Sequence, residues 1–210
     1  MPVIFITGID TGIGKTIQTG LLAKKLSDSG KTVITIKPVQ TGCRGIAEDI
    51  IIHRKIMGIV LTDDDNRGET APYVFEYPAS SHLSSQLAGV TIDIDVIDAT
   101  IEKFLQKYEY VLVEGSGGIT SPINNDINWG DFIRMRGYDT ILVSGFRLGS
   151  INHTVLSIEY CISNSINIIE VILNNYPEQD GIIAESTSRY LQERYKTIKF
   201  RVGEYYKNKE

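Results

Sequence analysis

Six short apolar runs punctuate the chain: Val3–Thr7, Thr32–Ile36, Tyr110–Val113, Thr140–Ser144, Ile168–Leu173 and Ile198–Val202. Most are continuous rather than alternating, the pattern of strands covered on both faces. Between the first two, Lys15–Ser29 carries Ile17, Leu21, Leu22 and Leu26 near helical spacing and stops at Gly30, a residue that tolerates the positive φ of a helix end. Asp95–Tyr108 and His153–Asn164 show the same amphipathic spacing, and another helical stretch begins at Asp49. This alternation predicts an α/β fold, a doubly wound, mainly parallel sheet flanked by helices. The polar segment Thr62–Ser81 is expected to be an insertion or irregular connection. No repeat, low-complexity stretch or Pro/Gly-rich linker divides the 210 residues, so one domain over residues 1–210 is the expectation.

Composition changes this picture little. At 42% hydrophobic and 22% charged residues the chain resembles ordinary globular proteins. With no run of eighteen apolar residues and no basic leader, it is expected in the cytoplasm, with no membrane partner. The net charge of −5 argues against a general nucleic-acid binder. That charge is uneven: residues 189–210 hold seven Lys/Arg and three Asp/Glu, a net of +4, leaving −9 elsewhere. This basic C-terminal segment is expected to be a peripheral, solvated surface. Cys43 and Cys161 are too far apart in sequence to form a CxxC pair, so neither a metal site nor a disulfide framework is expected.

Chemistry first appears at "GIDTGIGKT", Gly8–Thr16, directly after the first apolar run. The usual phosphate-loop spacing puts a glycine five residues before Gly14, but that position is Ile9, and Gly8 falls one residue early. The grip is therefore expected to begin at Gly12 and Gly14, with Gly8 in the strand-to-loop turn. Glycines there let the N–H groups of Gly12, Ile13, Gly14, Lys15, Thr16 and Ile17 converge on an anion at a helix N-terminus. Lys15 adds charge for the terminal phosphates, and the Thr16 hydroxyl is a magnesium ligand in such loops. "VLVEGSGG" ends a strand with Glu114, at the edge where ligands bind in open α/β sheets, and Gly117 lets backbone approach phosphate. Asp49 is a second candidate carboxylate for a hard dication. The whole is P-loop NTPase-like.

Four blocks, "FITGIDTGIGKT", "KPVQTG", "VEGSGG" and "RLGSINH", together with "PYVFEYPASSHLSSQLAG", resemble the dethiobiotin synthetase family in order and spacing over residues 3 to about 175. The resemblance implies a homodimeric α/β ligase of biotin biosynthesis, using diaminopelargonic acid, CO2 and ATP with Mg2+. A substrate amine captures CO2 as a carbamate, the carbamate is phosphorylated by ATP, and the second amine closes the cyclic urea. It further implies that Lys15, Lys37 and Thr11 are catalytic, and that Thr16, Asp49 and Glu114 hold the metal. Thr41, with Thr11 and Lys37, would face the substrate. Gly149, Ser150, Ile151 and Asn152 would take its tail carboxylate, presented from the partner subunit at the dimer interface. Asn174 or Asn175 would read the adenine amino group. His53, His82 and His153 are expected to be structural, His53 on a helix surface.

The departures from the family pattern are Gly12 where many members carry Glu, Ser81 where "SPH" has Pro, and the C-terminal reading "FRVGEYYKNKE". The last makes nucleobase selectivity the least transferable expectation. Two competing readings remain at this point: an amidoligase on the same loop, and a nucleotide switch of the partition-ATPase kind. The chain is too short for an added glutaminase domain, and the acidic charge speaks against a DNA or membrane surface.

Overall fold

The structure, a computed structural model, describes residues 3–176 and 178–206. Six strands form the central sheet: β1 (Val3–Gly8), β2 (Val33–Ile36), β5 (Tyr110–Glu114), β6 (Asp139–Gly145), β7 (Ile168–Asn174) and β8 (Phe200–Val202). Their order is β2-β5-β1-β6-β7-β8, and every pairing is parallel. Parallel neighbours require crossovers, and the helices α1 (Lys15–Asp28), α5 (Ile94–Leu105), α6 (Trp129–Arg136), α7 (Ser150–Ser163) and α8 (Gly181–Arg194) lie in those crossovers.

Successive residues of β1 point to opposite faces, so the run Val3–Ile6 serves two cores. On one face Val3 and Phe5 join Ile97, Ile101 and Phe104 of α5 and Trp129 and Phe132 of α6. Phe5 and Trp129 pack with ring centroids 5.4 Å apart, and Trp129 and Phe132 meet edge-on at 6.0 Å. On the other face Ile6, Ile141, Val143 and Ile172 pack with Ala23 of α1. Both faces being covered is why these strands read as unbroken apolar runs. Helix α2 (Glu48–Met57) closes on α1 at Gly20, where a Cβ would stand 2.8 Å from Ile56 Cδ1. Gly20 thus sets the depth at which α2 docks, and with it the position of Asp49.

The segment 62–81 is more ordered than its sequence implies. It holds α3 (Asp63–Asn66), opened by a Thr62–Asp65 capping box, and β4 (Tyr73–Phe75), which pairs in parallel with β3 (Val39–Thr41). Three-residue strands carry too few alternations to register as a period. α4 (Ser81–Leu87) follows. At the C-terminal end, α8 and β8 belong to the same layers: Arg194 meets Glu159, and Lys199 and Arg201 both meet Glu170. Lys207 and Lys209 lie outside the described residues. Among the described residues no helix is long and apolar enough to cross a membrane.

Candidate functional site

The carboxyl ends of β1, β2 and β5 open on one side of the sheet, beside the point where the strand order turns back past β1. Gly8 is the last residue of β1 and must be glycine, because a Cβ there would meet Ile13 Cγ2 at 2.8 Å. Ile13 is buried in the core beneath the loop. Gly12 and Gly14 have φ of +70° and +97°, and Gly14 is the N-cap of α1 with no side chain capping the helix and no acid in its first turn. Free N–H groups and a helix N-terminus therefore face the cleft. The loop is braced from β7, where Asn174 Nδ2 donates to Ile13 O at 2.9 Å.

Lys15 is only 6% exposed, and its ammonium donates to Asp10 O at 2.9 Å. Burial, reinforced by the nearby positive Lys37, pulls its pKa from 10.5 down to about 8 against the opposing pull of Glu114, Asp49 and Asp10. Lys37 follows β2 and precedes Pro38, which keeps it extended at the sheet edge. Its ammonium lies 2.7 Å from Asp49 Oδ2 and 2.9 Å from Glu114 Oε1 and also donates to Gly115 O. Burial alone would lower the Lys37 pKa, but the Glu114 and Asp49 carboxylates outweigh it and raise it. For Glu114 the signs reverse: burial pushes the carboxyl up, while Lys37 and His53 hold it well below the usual carboxylate range.

Thr16 Oγ1 lies 3.1 Å from Asp49 Oδ1 and 3.0 Å from Glu114 Oε1. A hydroxyl and two carboxylates are hard oxygen donors, the set that suits magnesium carried on a polyphosphate, where phosphate and water fill the remaining positions. No cluster of three or more His, Cys, Asp or Glu side chains able to hold a metal by themselves occurs among the described residues. The residues present fit a dication that arrives with its nucleotide.

These groups line one cleft of about 730 Å³, together with Thr11, Ile17, Thr41, Ser80 and Gly117. Ser81, at the start of α4, shares a hydrogen with Ser116 Oγ across 2.7 Å, and Trp129 Nε1 donates to the same Ser116 oxygen. Two hydroxyls thus tie the entry of α4 to the loop after β5. Asn174 and Asn175 line a neighbouring cleft of about 510 Å³ with Tyr176, Val202 and Tyr205. Gly149, Ser150, Ile151 and Asn152 do not line the main cleft; they form the start of α7, where Ser150 is buried and the other three are exposed.

One residue read from the sequence as a surface histidine is not one. His53 is completely buried, with Nδ1 3.0 Å from Thr35 Oγ1 and Nε2 2.8 Å from Glu114 Oε2. Its helix is amphipathic in an unusual sense, since the inward face carries Asp49 and His53 one turn apart. The i, i+4 spacing from Asp49 is the sequence signal that places His53 on the same face. The next residue, Arg54, is also buried and makes two hydrogen bonds to Asp65.

Residues 3–201 match a family model described as AAA domain. The chain is 50% identical over 190 residues to the ATP-dependent dethiobiotin synthetase BioD 2 of Pasteurella multocida, spanning 90% of this chain and 89% of that protein. It is 46% identical over 185 residues to the ATP-dependent dethiobiotin synthetase BioD of Chlorobaculum tepidum, spanning 88% and 77%. Among solved structures it resembles a ParA family ATPase from Chlorobium tepidum, with TM-score 0.58 at 16% identity over 97% of this chain and 85% of that one. It also resembles the MinD cell division protein of Aquifex aeolicus, with TM-score 0.56 at 18% identity over 97% and 83%. At such identities the structural likeness concerns the fold alone.

Proposed function

The chain belongs to the dethiobiotin synthetase family, and from that membership we propose that it closes the cyclic urea of dethiobiotin from diaminopelargonic acid and CO2, driven by ATP. The observation that carries this reading is the convergence of Lys15, Lys37, Thr16, Asp49 and Glu114 on one cleft at the phosphate loop. Triphosphate would lie along the N–H groups of residues 12–17 at the head of α1, with Lys15 reaching its terminal phosphates. Thr16, Asp49 and Glu114 would hold Mg2+, which when bound neutralises charge on the transferring phosphoryl group.

Lys37 is the pivot of the chemistry. Held by Asp49 and Glu114 and raised in pKa, it stays charged, so it can attract a carbamate and stabilise the charge that develops as that carbamate attacks the γ-phosphate. No covalent enzyme intermediate is required, and the protein's work is positioning. Thr11 and Thr41, both on the cleft, are the substrate-side hydroxyls. On the base side, Asn174 spends its amide hydrogens on Ile13 O and Tyr176 O and keeps Oδ1 as an acceptor, the polarity an adenine amino group needs. Asn175 accepts from Gln179 N through Oδ1 and keeps its amide hydrogens. The two asparagines offer complementary edges.

The reading also makes the chain a cytoplasmic homodimer. Leu148 and Leu156, 84% and 61% exposed, flank the start of α7 with Ile151, an apolar surface suited to a second copy. The head of α7, where Ser150 N already donates to Arg147 O and the N–H groups of Ile151 and Asn152 follow, would then meet the substrate carboxylate in the partner's cleft. Incubation with diaminopelargonic acid, bicarbonate and magnesium-ATP, followed by mass spectrometry, tests the proposal. Dethiobiotin and ADP are the expected products; a folded dimer that yields neither would overturn it.

A further inference from the structure

Behind the cleft runs a buried chain of hydrogen bonds whose polarity can be worked out from one end. Arg54 keeps its proton at any ordinary pH and only donates. Its Nε and Nη2 clamp Asp65 at 2.8 Å each, and its Nη1 donates to Thr35 Oγ1 at 2.7 Å. Asp65 is fixed in turn by Thr70 Oγ1 at 2.7 Å and by Thr62 N at 2.8 Å. Because Thr35 Oγ1 receives a hydrogen from Arg54, its own hydrogen is free for its one remaining side-chain partner among the described residues, His53 Nδ1, at 3.0 Å. An imidazole accepting at Nδ1 carries its hydrogen on Nε2, and Nε2 is 2.8 Å from Glu114 Oε2. This assignment gives every one of these buried donors an acceptor.

We propose that His53 is a positioning residue for the metal carboxylate: its Nε2–H occupies Oε2 of Glu114, so that Oε1 alone is turned to Thr16, Lys37 and the dication. The asymmetry is already visible in the contacts. Glu114 Oε1 takes Thr16 Oγ1 at 3.0 Å and Lys37 Nζ at 2.9 Å, whereas His53 contacts only Oε2. A carboxylate at the end of a strand would otherwise rotate about its last bond and present either oxygen or both. Donation from a ring that is itself locked removes that freedom and selects single-oxygen coordination. The inference rests on the reading of Glu114 as a metal ligand.

The test uses the full chain with a non-hydrolysable ATP analogue and Mn2+ as a paramagnetic probe of the magnesium site. His53→Leu is expected to weaken Mn2+ binding by about 10- to 100-fold, the usual effect of losing a hydrogen bond behind a metal ligand, while metal-free analogue binds as in wild type. His53→Gln, whose amide can donate to Oε2, should recover most of that loss. A Leu variant with wild-type Mn2+ affinity, or a Gln variant as impaired as the Leu one, would overturn the proposal. Long-range 1H–15N NMR of the imidazole in wild type decides the matter if His53→Leu does not fold: a ring hydrogen on Nε2 supports the relay, and one on Nδ1 refutes it. Glu114→Gln separates the two readings. If it leaves Mn2+ affinity intact, the metal site itself is misassigned; if it abolishes binding while His53→Leu does not, only the positioning role fails.

Discussion

Lys15 should be a residue that weakens the ligand-free fold for the sake of its ligand. Burial and Lys37 hold its pKa at about 8, against 10.5 in the unfolded chain. At 1.36 kcal/mol per pH unit, that gap corresponds to a penalty of about 3 kcal/mol for carrying the charge in the folded state below pH 8. The penalty is constant where both states are protonated. Between about pH 8 and 10.5 the folded chain has released a proton that the unfolded chain still holds, so stability rises with pH in that window. Lys15→Met keeps the length of the side chain and removes the charge, forfeiting the hydrogen bond to Asp10 O, a loss of about 1 kcal/mol. The variant should therefore be about 2 kcal/mol more stable than wild type at pH 7, and that advantage should shrink by about 1.4 kcal/mol at pH 9. Urea unfolding without nucleotide, followed through the single, buried Trp129, measures both values. Taking the difference between the two proteins cancels other groups that titrate there, such as Cys161, whose thiol is pushed up to about 12 by burial. Magnesium-ATP should then stabilise wild type and leave the variant unchanged. A variant less stable than wild type at pH 7, or an advantage equal at both pH values, would refute the account of Lys15.

Three further outcomes follow from the same geometry. Lys37→Ala should lower turnover at least ~100-fold in the dethiobiotin assay, as losing a charge-stabilising donor does, and a near-normal rate would remove Lys37 from the reaction. Arg54→Met leaves Asp65 charged and buried, so thermal or urea unfolding should report a loss of about 3–5 kcal/mol; a loss near zero would mean that the Asp65 cluster does not hold α2 in place. If the proposed homodimer packs through the start of α7, Ile151→Glu puts a charge on that surface and should give monomers with loss of turnover, read by light scattering and product formation. Full activity in a monomer would show that each cleft is complete within one chain.

Some of this was legible in the residues and some was not, and the division has a physical basis. The strands of the central sheet stood out because burial on both faces demands uninterrupted apolar runs, as in Val3–Ile6 and Val111–Val113. The phosphate loop stood out because its parts are contiguous: strand end, Gly12, Gly14, Lys15 and Thr16 act within a few residues of each other. Glu114, at a strand end before glycines, and Asp49, at a helix start, could be read as metal carboxylates from their own surroundings, whereas a role for Lys37 came only with the resemblance to a family. The ribbon of β3 and β4 was hidden, since each strand is three residues long and its partner is more than thirty residues away. His53 was hidden for a different reason. His53 stands three residues before the apolar Ile56 and one turn after Asp49, in a helix that also carries Arg54 and Lys55; that spacing puts it on one face with Asp49 but does not say whether the face meets solvent or core. Only the docking of α2 against α1 at Gly20, and the meeting of α2 with the ends of β2 and β5, turned that face inward toward Thr35 and Glu114. Local periodicity determines which segments are strands and helices, because those depend on residues near in sequence; which polar side chains end up buried together depends on packing between distant elements, and that the tertiary structure alone decided.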